Sequence, residues 1–255
     1  MAATTIKTFK RWEKKYMVDS FRYERLLPIL EQHMTPDPHC QDGHCYTIYN
    51  VYYDTDNNDV IRNSLSKPYY KEKLRMRSYR LPVEPEDPVF LELKKKIGGI
   101  VSKRRVTLPL HAAEEFVRTG EKPAVNTFID QEVVEEIACF LRRYPVKPAL
   151  FLSYDRLAFF DREDPEFRIT FDRNILTRRS CITLSSADFG AELLSDDVYL
   201  MEVKFIGAMP LWLTHALSEL GLYSTGFSKY GTEYQQYRTR MLHTSLHAQG
   251  GKQHA

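Results

Sequence analysis

The segment from Leu91 to Val106 constrains the fold most, because it predicts a β-hairpin whose register can be read from the sequence. Two runs of alternating apolar and charged residues flank Gly98-Gly99, and a two-residue glycine turn is typical of tight hairpins. The turn sets three cross-strand pairs: Ile97 with Ile100, Lys94 with Lys103, and Glu92 with Arg105. Two cations placed opposite each other destabilise a sheet. A polyanion lying between them would remove that repulsion, although a hairpin with one solvated, charged face is also common.

The same alternation recurs in at least five further segments, so the hairpin is not an isolated case. Side chains alternate between the two faces of a strand, and each segment places charged residues, mostly basic, on one face. The charged faces carry Arg11, Glu13 and Lys15; Lys73, Arg75 and Arg77; Tyr154 and Arg156; Arg168 and Thr170; and Glu202 and Lys204. A sheet curled around these faces would form a basic channel, and about eight strands make the smallest barrel with a useful interior. Ion-pair networks with Glu13, Glu92, Glu202 and loop acids explain the same residues equally well.

The remaining sequence predicts an α+β fold in a single domain at residues 7–241, with a polar, disordered tail at 242–255. A chain of 255 residues with 43% hydrophobic content can form one large domain with a substantial core. The predicted strands are 7–18, 46–54, 69–80, the hairpin at 88–109, 147–160, 166–175 and 198–206. The predicted helices are 19–33, a short one within 54–66, 111–119, 127–143, 210–220 and 227–241. Strands with helices inserted between them favour an eight-stranded antiparallel barrel with helices packed outside.

Composition limits the partners and the compartment. The net charge is only +2, so the global charge gives no case for nucleic acid, and no RNA-binding motif is present. No apolar run reaches the roughly 18 residues of a membrane span, and the first nine residues lack a secretory apolar stretch. Four irregularly spaced cysteines favour a reducing, cytoplasmic environment. The segment from His39 to Cys45 contains metal-binding side chains, but its spacing fits no standard zinc pattern, so we expect a polar loop.

The predicted channel suits a compact polyanion. Arginine grips phosphate through two parallel hydrogen bonds and lysine supplies a point charge, and a triphosphate can satisfy more of these donors than a carboxylate can. A carboxylate in such a site usually helps to hold a divalent cation, whose remaining ligands are phosphate oxygens and water. Glu202 is the best candidate, because Lys204 follows it on the same face. The chain has no Walker A loop or dinucleotide fingerprint.

Nine short motifs occur in an order that resembles the VTC domain family. They are Glu13-Lys14-Lys15-Tyr16, Val51-Tyr52-Tyr53-Asp54-Thr55, Lys73-Leu74-Arg75-Met76-Arg77, Leu91-Glu92-Leu93-Lys94, Ser102-Lys103-Arg104-Arg105, Tyr154-Asp155-Arg156, Arg168-Ile169-Thr170-Phe171-Asp172, Leu200-Met201-Glu202-Val203-Lys204 and Phe227-Ser228-Lys229-Tyr230. VTC domains are the polyphosphate polymerase domains of the vacuolar transporter chaperone complex and its bacterial relatives, within the triphosphate tunnel metalloenzymes. The resemblance runs from about Phe9 to Tyr237, which is nearly the whole chain.

The resemblance implies a tunnel of eight antiparallel strands and transfer of the ATP γ-phosphate to a growing inorganic polyphosphate chain, usually with Mn²⁺, or with Mg²⁺. It implies catalytic roles for Lys15, Arg75, Arg77, Lys94, Arg156, Arg168, Glu202 and Lys229. The full phosphate-binding set becomes Lys15, Lys73, Arg75, Arg77, Lys94, Lys103, Arg105, Arg156, Arg168, Lys204, Ser228 and Lys229. Glu202, and after it Glu13, would hold the metal.

The sequence departs from the wider superfamily on its first strand. Many tunnel enzymes carry Glu-x-Glu-x-Lys there, whereas this chain has Arg11-Trp12-Glu13-Lys14-Lys15. This difference argues against the metal-rich triphosphatase and adenylate cyclase branches. The transmembrane segments and SPX domain of eukaryotic members are missing, so we expect a stand-alone, bacterial-like, cytoplasmic protein. A triphosphatase of the same fold, a non-catalytic binder of polyphosphate or inositol phosphates, and an enzyme acting on RNA 5′-triphosphates remain alternatives.

Overall fold

A computed structural model of the protein describes residues 11–43 and 45–250, with side chains described for residues 12–40 and 45–243. Residues 7–10 of the predicted first strand and 251–255 of the predicted tail lie outside this part. The described residues form ten strands: β1 Arg11–Asp19, β2 Met34–Pro36, β3 Tyr46–Asp54, β4 Tyr70–Ser78, β5 Pro88–Ile97, β6 Ile100–Pro109, β7 Lys147–Asp161, β8 Arg168–Arg178, β9 Ala191–Glu192 and β10 Val198–Ile206. Six α-helices accompany them in the described residues: α1 Ser20–His33, α2 Asp59–Leu65, α3 Leu110–Thr119, α4 Phe128–Arg143, α5 Leu211–Glu219 and α6 Lys229–Gly250.

The predicted α+β class is confirmed, but the closed eight-stranded barrel is wrong. The strands form one ten-stranded antiparallel sheet with the main order β1-β10-β8-β7-β3-β4-β5-β6, while β2 and β9 pair at its sides. Eight strands do make up the main path, as predicted. In the described part of the chain, however, the two end strands β1 and β6 are not hydrogen-bonded to each other. Alternation along strands predicts which face is charged, but it carries no information about whether the edges meet.

The hairpin register predicted from Gly98-Gly99 is confirmed. Ile97 pairs with Ile100, Lys94 with Lys103, and Glu92 with Arg105. Both glycines have positive φ angles, 54° and 91°, which a tight hairpin turn of the mirror-image type requires. The turn chemistry therefore sets the facing positions of the whole β5–β6 ribbon.

The local end signals place the helices close to their predicted limits. The Asp19 side chain accepts a hydrogen bond from the Arg22 backbone N–H, and Thr127 does the same for Asp130, which is the expected chemistry of N-cap residues. The segment from His39 to Cys45, predicted to be a polar loop, lies mostly within a 3₁₀ helix at Pro38–Gly43. At the other end of the chain, α6 continues to Gly250, into the segment predicted to be a disordered tail.

Helices cover the outer, apolar face of the sheet, as the alternation predicted. Leu74, Met76, Leu91 and Leu93 lie in one buried cluster with residues of α3 and α4, including Phe116, Ile137 and Phe140. Met201 and Val203 lie in a second cluster with Leu26 and Leu30 of α1 and Leu213 of α5. Burial of this surface, worth roughly 25 cal/mol per Å² of apolar area, holds the helices outside and leaves the charged side chains on the inner face.

Helix α6 packs on the opposite, inner face. Tyr230 and Tyr234 form a third buried cluster with Ile48 of β3 and with Leu152 of β7. The Tyr230 hydroxyl donates to Asp54 Oδ2 at 2.7 Å, which ties the helix to the end of β3. The inner face therefore has an apolar part occupied by α6 and a charged part beyond the beginning of that helix.

No helix in the described residues is long and apolar enough to cross a bilayer.

Candidate functional site

Charged side chains from seven strands and from α6 meet on the inner face because the sheet curls. Near its two ends, Lys94 of β5 approaches Glu13 of β1 closely enough to interact. Burial would raise the pKa of Glu13, but the Lys94 charge and neighbouring lysines outweigh it and lower that pKa. The cations on this face are those predicted: Lys15, Lys73, Arg75, Arg77, Lys94, Lys103, Arg105, Arg156, Arg168, Lys204 and Lys229.

Glu202 lies at the centre of three ammonium groups. Its Oε1 is 3.1 Å from Lys15 Nζ and 3.6 Å from Lys229 Nζ, while its Oε2 is 3.9 Å from Lys204 Nζ. Burial opposes the charged form of this carboxylate, yet the lysines hold its pKa well below the usual range. The ionised form of Glu202 is therefore favoured, and the carboxylate brings three of the predicted phosphate-binding lysines around one point.

Asp172 forms a second centre, which the sequence analysis did not assign. Its two carboxylate oxygens accept from Arg156 Nε and Nη2 at 2.6 and 2.7 Å, and Lys229 Nζ lies 2.5 Å from Oδ2. Asp172 is fully buried, so the pairing fixes both cations where they could not reach solvent partners. Its position two residues after Thr170 on β8 was a usable signal, because both share the charged face.

Glu92 forms a third centre on the hairpin. Arg75 Nε and Arg105 Nε donate to its two oxygens at 2.6 and 2.7 Å, and Lys103 Nζ lies 3.4 Å away. The carboxylate is fully buried, and the adjacent cations outweigh burial and lower its pKa. The repulsion expected between Lys94 and Lys103 is reduced because each lysine has a carboxylate nearby. Lys103 interacts with Glu92, and Lys94 interacts with Glu13.

Arg77 has neutral partners instead. Its Nε donates to Asn50 Oδ1 at 3.0 Å and its Nη2 to the Tyr154 hydroxyl at 3.2 Å. The side chain is buried, and no carboxylate of the described residues lies within ion-pair distance of it. Asn50 and Tyr154 hold the guanidinium in place without neutralising it, a role that no pattern in the sequence marked.

The site disfavours the charged forms of Lys73 and Lys204. Burial, reinforced by the neighbouring Lys94, Lys71 and Lys15 charges, lowers the pKa of Lys73 to about 7. Burial also lowers the pKa of Lys204 to about 8, although Glu202 and Glu13 oppose the shift. An anion placed beside these amines would restore their charged forms, since an opposite charge favours ionisation.

Three polar side-chain atoms on β8 are buried without a hydrogen-bond partner in the described structure: Arg168 Nε, Thr170 Oγ1 and Arg173 Nε. The first two belong to residues of the charged face. Arg168 also lies 3.5 Å from Asp37 through Nη2 and 3.3 Å from the Tyr46 hydroxyl. Buried polar groups are almost always paired, so unpaired ones on a cationic face indicate a place where a ligand oxygen fits. Thr170 pairs across the ladder with Glu202, close to the first carboxylate centre.

Ser228, predicted to bind phosphate, has a structural contact. Its Oγ accepts from the Gly231 backbone N–H at 3.2 Å, which makes it the N-cap of α6. The helix therefore begins beside the site and carries Lys229 directly to Asp172 and Glu202.

The predicted metal position can be tested on its donor atoms. The described residues contain no group of three or more His, Cys, Asp or Glu side chains that could hold a metal ion. Glu13 and Glu202 nevertheless lie on either side of Lys15 Nζ, at 3.4 and 3.1 Å. Magnesium and manganese sites in phosphate-binding proteins often use one or two carboxylates, with substrate phosphates and waters as the other ligands. Glu13 and Glu202 fit a site of this kind, in which substrate phosphates and waters complete the coordination of the metal. They do not fit a site made of protein ligands alone.

Both interpretations of the charged residues are partly right. Carboxylates do pair with many of the cations, as the ion-pair alternative required. The eleven predicted cations within the described residues nevertheless interact with only six carboxylates: Glu13, Asp37, Asp54, Glu92, Asp172 and Glu202. The ion pairs position the cations, and the surplus positive charge leaves the face suited to a polyanion.

The family model of the VTC domain matches residues 10–238. The comparison with curated proteins gave no match.

Similar solved structures include two bacterial proteins, each described as a "putative adenylate cyclase". The one from Bacillus halodurans is 16% identical with a TM-score of 0.49 and covers 86% of this chain and 95% of its own. The one from Vibrio parahaemolyticus is 13% identical with a TM-score of 0.43, covering 89% and 98%. The Schizosaccharomyces pombe Mediator head module is also similar, at 13% identity and a TM-score of 0.41, covering 83% and 90%.

Proposed function

The chain belongs to the VTC domain family, and from this premise we propose that it is a metal-dependent polyphosphate polymerase. The proposed reaction transfers the γ-phosphate of ATP to a growing inorganic polyphosphate chain held on the basic inner face. The single observation that carries the proposal is the surplus of buried or half-buried cations around Glu202, Asp172 and Glu92. A neutral or singly charged ligand would leave most of those donors unsatisfied.

The proposed roles follow from where each cation is held. Arg156 and Lys229, fixed by Asp172, would grip the γ-phosphate together with Lys15. Catalytic roles extend to Arg75, Arg77, Lys94, Arg168 and Glu202. Lys73, Lys103, Arg105 and Lys204 would bind neighbouring phosphates along the face.

The transfer itself asks for positioning and charge neutralisation. An oxygen of the acceptor's terminal phosphate attacks the γ-phosphorus, the bond from that phosphorus to the β–γ bridging oxygen breaks, and ADP leaves with the electron pair. Because negative charge is spread over the transferring group, fixed cations stabilise the transition state. Mn²⁺ or Mg²⁺ bound by Glu202 and Glu13 would add charge neutralisation at the phosphate oxygens.

A non-catalytic polyphosphate-binding protein is the second candidate, and a specific observation favours it. The Glu202 carboxylate is already surrounded by Lys15, Lys229 and Lys204, so a metal must compete with three ammonium groups. A binder needs the surplus cations but no metal.

The test is incubation of the purified protein with ATP and Mn²⁺, followed by gel analysis for polymer and an assay for orthophosphate. Long polymer supports the polymerase, and orthophosphate without polymer supports the triphosphatase alternative. Tight, salt-sensitive polyphosphate binding with ATP left intact supports the binder.

Two variants sharpen this test. Glu202→Gln should abolish polymer formation while polyphosphate binding persists. Glu136→Gln is the matched control, because Glu136 also pairs with two cations, Lys95 and Arg104, but on the outer face. Equal loss of activity in both variants would contradict the role given to Glu202.

A further inference from the structure

An aromatic rim borders the basic face at the end of β4, and the function proposed above does not use it. The rim consists of Tyr46, Tyr79 and Phe90. The Tyr79 and Tyr46 rings lie 6.0 Å apart between centroids with planes tilted by 59°, and Tyr79 and Phe90 lie 5.7 Å apart at 72°. Tyr79 is 46% exposed, although the next residue inward on its face, Arg77, is buried. A large aromatic surface of this kind is open to a ligand.

The rim is continuous with the cations. Arg77 pairs with Phe90 across the ladder, and the Arg105 guanidinium lies over the Phe90 ring, 4.3 Å from its centroid. Burial alone would raise the pKa of Tyr79, but Arg77 and Arg105 beside its hydroxyl outweigh this effect and lower it. The hydroxyl therefore points towards the basic face while the ring remains at the border.

Strand geometry gives the distances from the rim to the cations. A residue rises about 3.3 Å along a strand, so Arg77 lies roughly 7 Å and Arg75 roughly 13 Å from Tyr79 along β4. A base at the aromatic border and phosphates at the pair of Glu92 and Arg75 would be joined by a sugar and one or two phosphates across this spacing. A ligand that matches both the aromatic rim and the basic face has a flat aromatic group at one end and a polyphosphate at the other.

We propose that Tyr79, with Tyr46 and Phe90, forms a stacking subsite for the nucleobase of a nucleoside triphosphate whose phosphates enter the basic face. The inference rests on the proposed use of ATP and adds where the base lies. Stacking on an aromatic ring tolerates any base, because every base has a π face. The subsite therefore accepts purine and pyrimidine triphosphates and sets no strict base preference.

The experiment compares ATP with inorganic tripolyphosphate, which has no base, by direct binding measurements on the full chain without added metal. Stacking of one base on one aromatic side chain changes affinity by about 5- to 100-fold. Tyr79→Ala should weaken ATP by at least about fivefold and leave tripolyphosphate within twofold. Tyr79→Phe, which keeps the ring, should retain ATP affinity.

Tyr69→Ala is the matched control. Tyr69 precedes β4 as Tyr79 follows it, and it is 78% exposed at the opposite end of the same strand. Its substitution should change neither ligand's affinity. A fluorescent etheno-adenosine triphosphate adds a second readout: stacking should quench it with the wild-type protein and with Tyr79→Phe, and quenching should be lost with Tyr79→Ala. Unchanged thermal unfolding of Tyr79→Ala and Tyr79→Phe would show that both fold.

Equal weakening of ATP and tripolyphosphate in Tyr79→Ala would overturn the inference, because the tyrosine would then act only through Arg77 and Arg105. No change for either ligand would overturn it as well. Wild-type protein that binds tripolyphosphate but not ATP rejects the subsite while leaving a phosphate-chain site intact. Wild-type protein that binds neither rejects the proposed function together with the subsite.

Discussion

Protons should be taken up when a nucleoside triphosphate binds, because burial holds two amines of the site partly neutral. With a pKa of about 7, Lys73 is about 10% protonated at pH 8, and Lys204, with a pKa of about 8, is about half protonated. A phosphate chain beside them should return both pKa values to near 10.5, the ordinary value for lysine. Binding at pH 8 should then take up about 1.4 protons, of which about 0.9 belong to Lys73.

The sign follows from linkage. A complex that binds more protons than its free components is favoured at low pH, so affinity should fall as pH rises. The slope near pH 8 should be about 1.4 logarithmic units of affinity per pH unit. At pH 6 both amines are already charged in the free protein, and the uptake should shrink to about 0.1 proton.

Calorimetric titration with ATP, without metal, in two buffers of the same pH but different ionisation enthalpy measures this uptake directly. Lys73→Met should lower it by about 0.9 proton at pH 8, whereas Lys95→Met, on the outer face with Glu136, should leave it unchanged. An uptake near zero, or one that survives Lys73→Met, would refute the reasoning that burial in the site destabilises the charged forms of these amines.

Two further predictions concern stability and one concerns salt. Asp172→Asn should cost about 3–5 kcal/mol, because it leaves Arg156 and Lys229 buried without their carboxylate; the thermal midpoint should fall by at least roughly 6 °C, and tripolyphosphate should raise it more in the variant than in wild type. Gly98→Val should lower the midpoint by a few degrees, since φ is +54° and a Cβ would lie 3.0 Å from the Tyr69 ring, whereas Gly226→Ala, with open space around it, should not. Polyphosphate affinity should fall steeply between about 50 and 200 mM salt, as expected when several cations meet phosphates, and a flat response would contradict the phosphate contacts.

Much of the fold was accessible to sequence reasoning because its signals are local. The hairpin register, the limits of β3 and β10, and the caps at Asp19 and Thr127 depend on residues within a few positions of one another. The inward cations were predictable for the same reason, since alternation assigns every second residue of a strand to one face. The VTC motifs, spread in order along the chain, identified the family.

The sequence by itself therefore determined the eight strands of the main path, the register of the hairpin and the identity of the basic face. Only the tertiary structure decided that the sheet is not closed between β1 and β6 in the described residues. It also decided that the Asp172 carboxylate binds the ammonium group of Lys229, which is 57 residues away in the sequence. Tertiary structure also brought Tyr46, Tyr79 and Phe90 together at one border. The physical reason is that pairing, burial and pKa depend on distances in space between residues far apart in sequence. The alternation of side chains along a strand determines which face of the sheet a residue lies on. It cannot determine the distances to residues of other strands or helices.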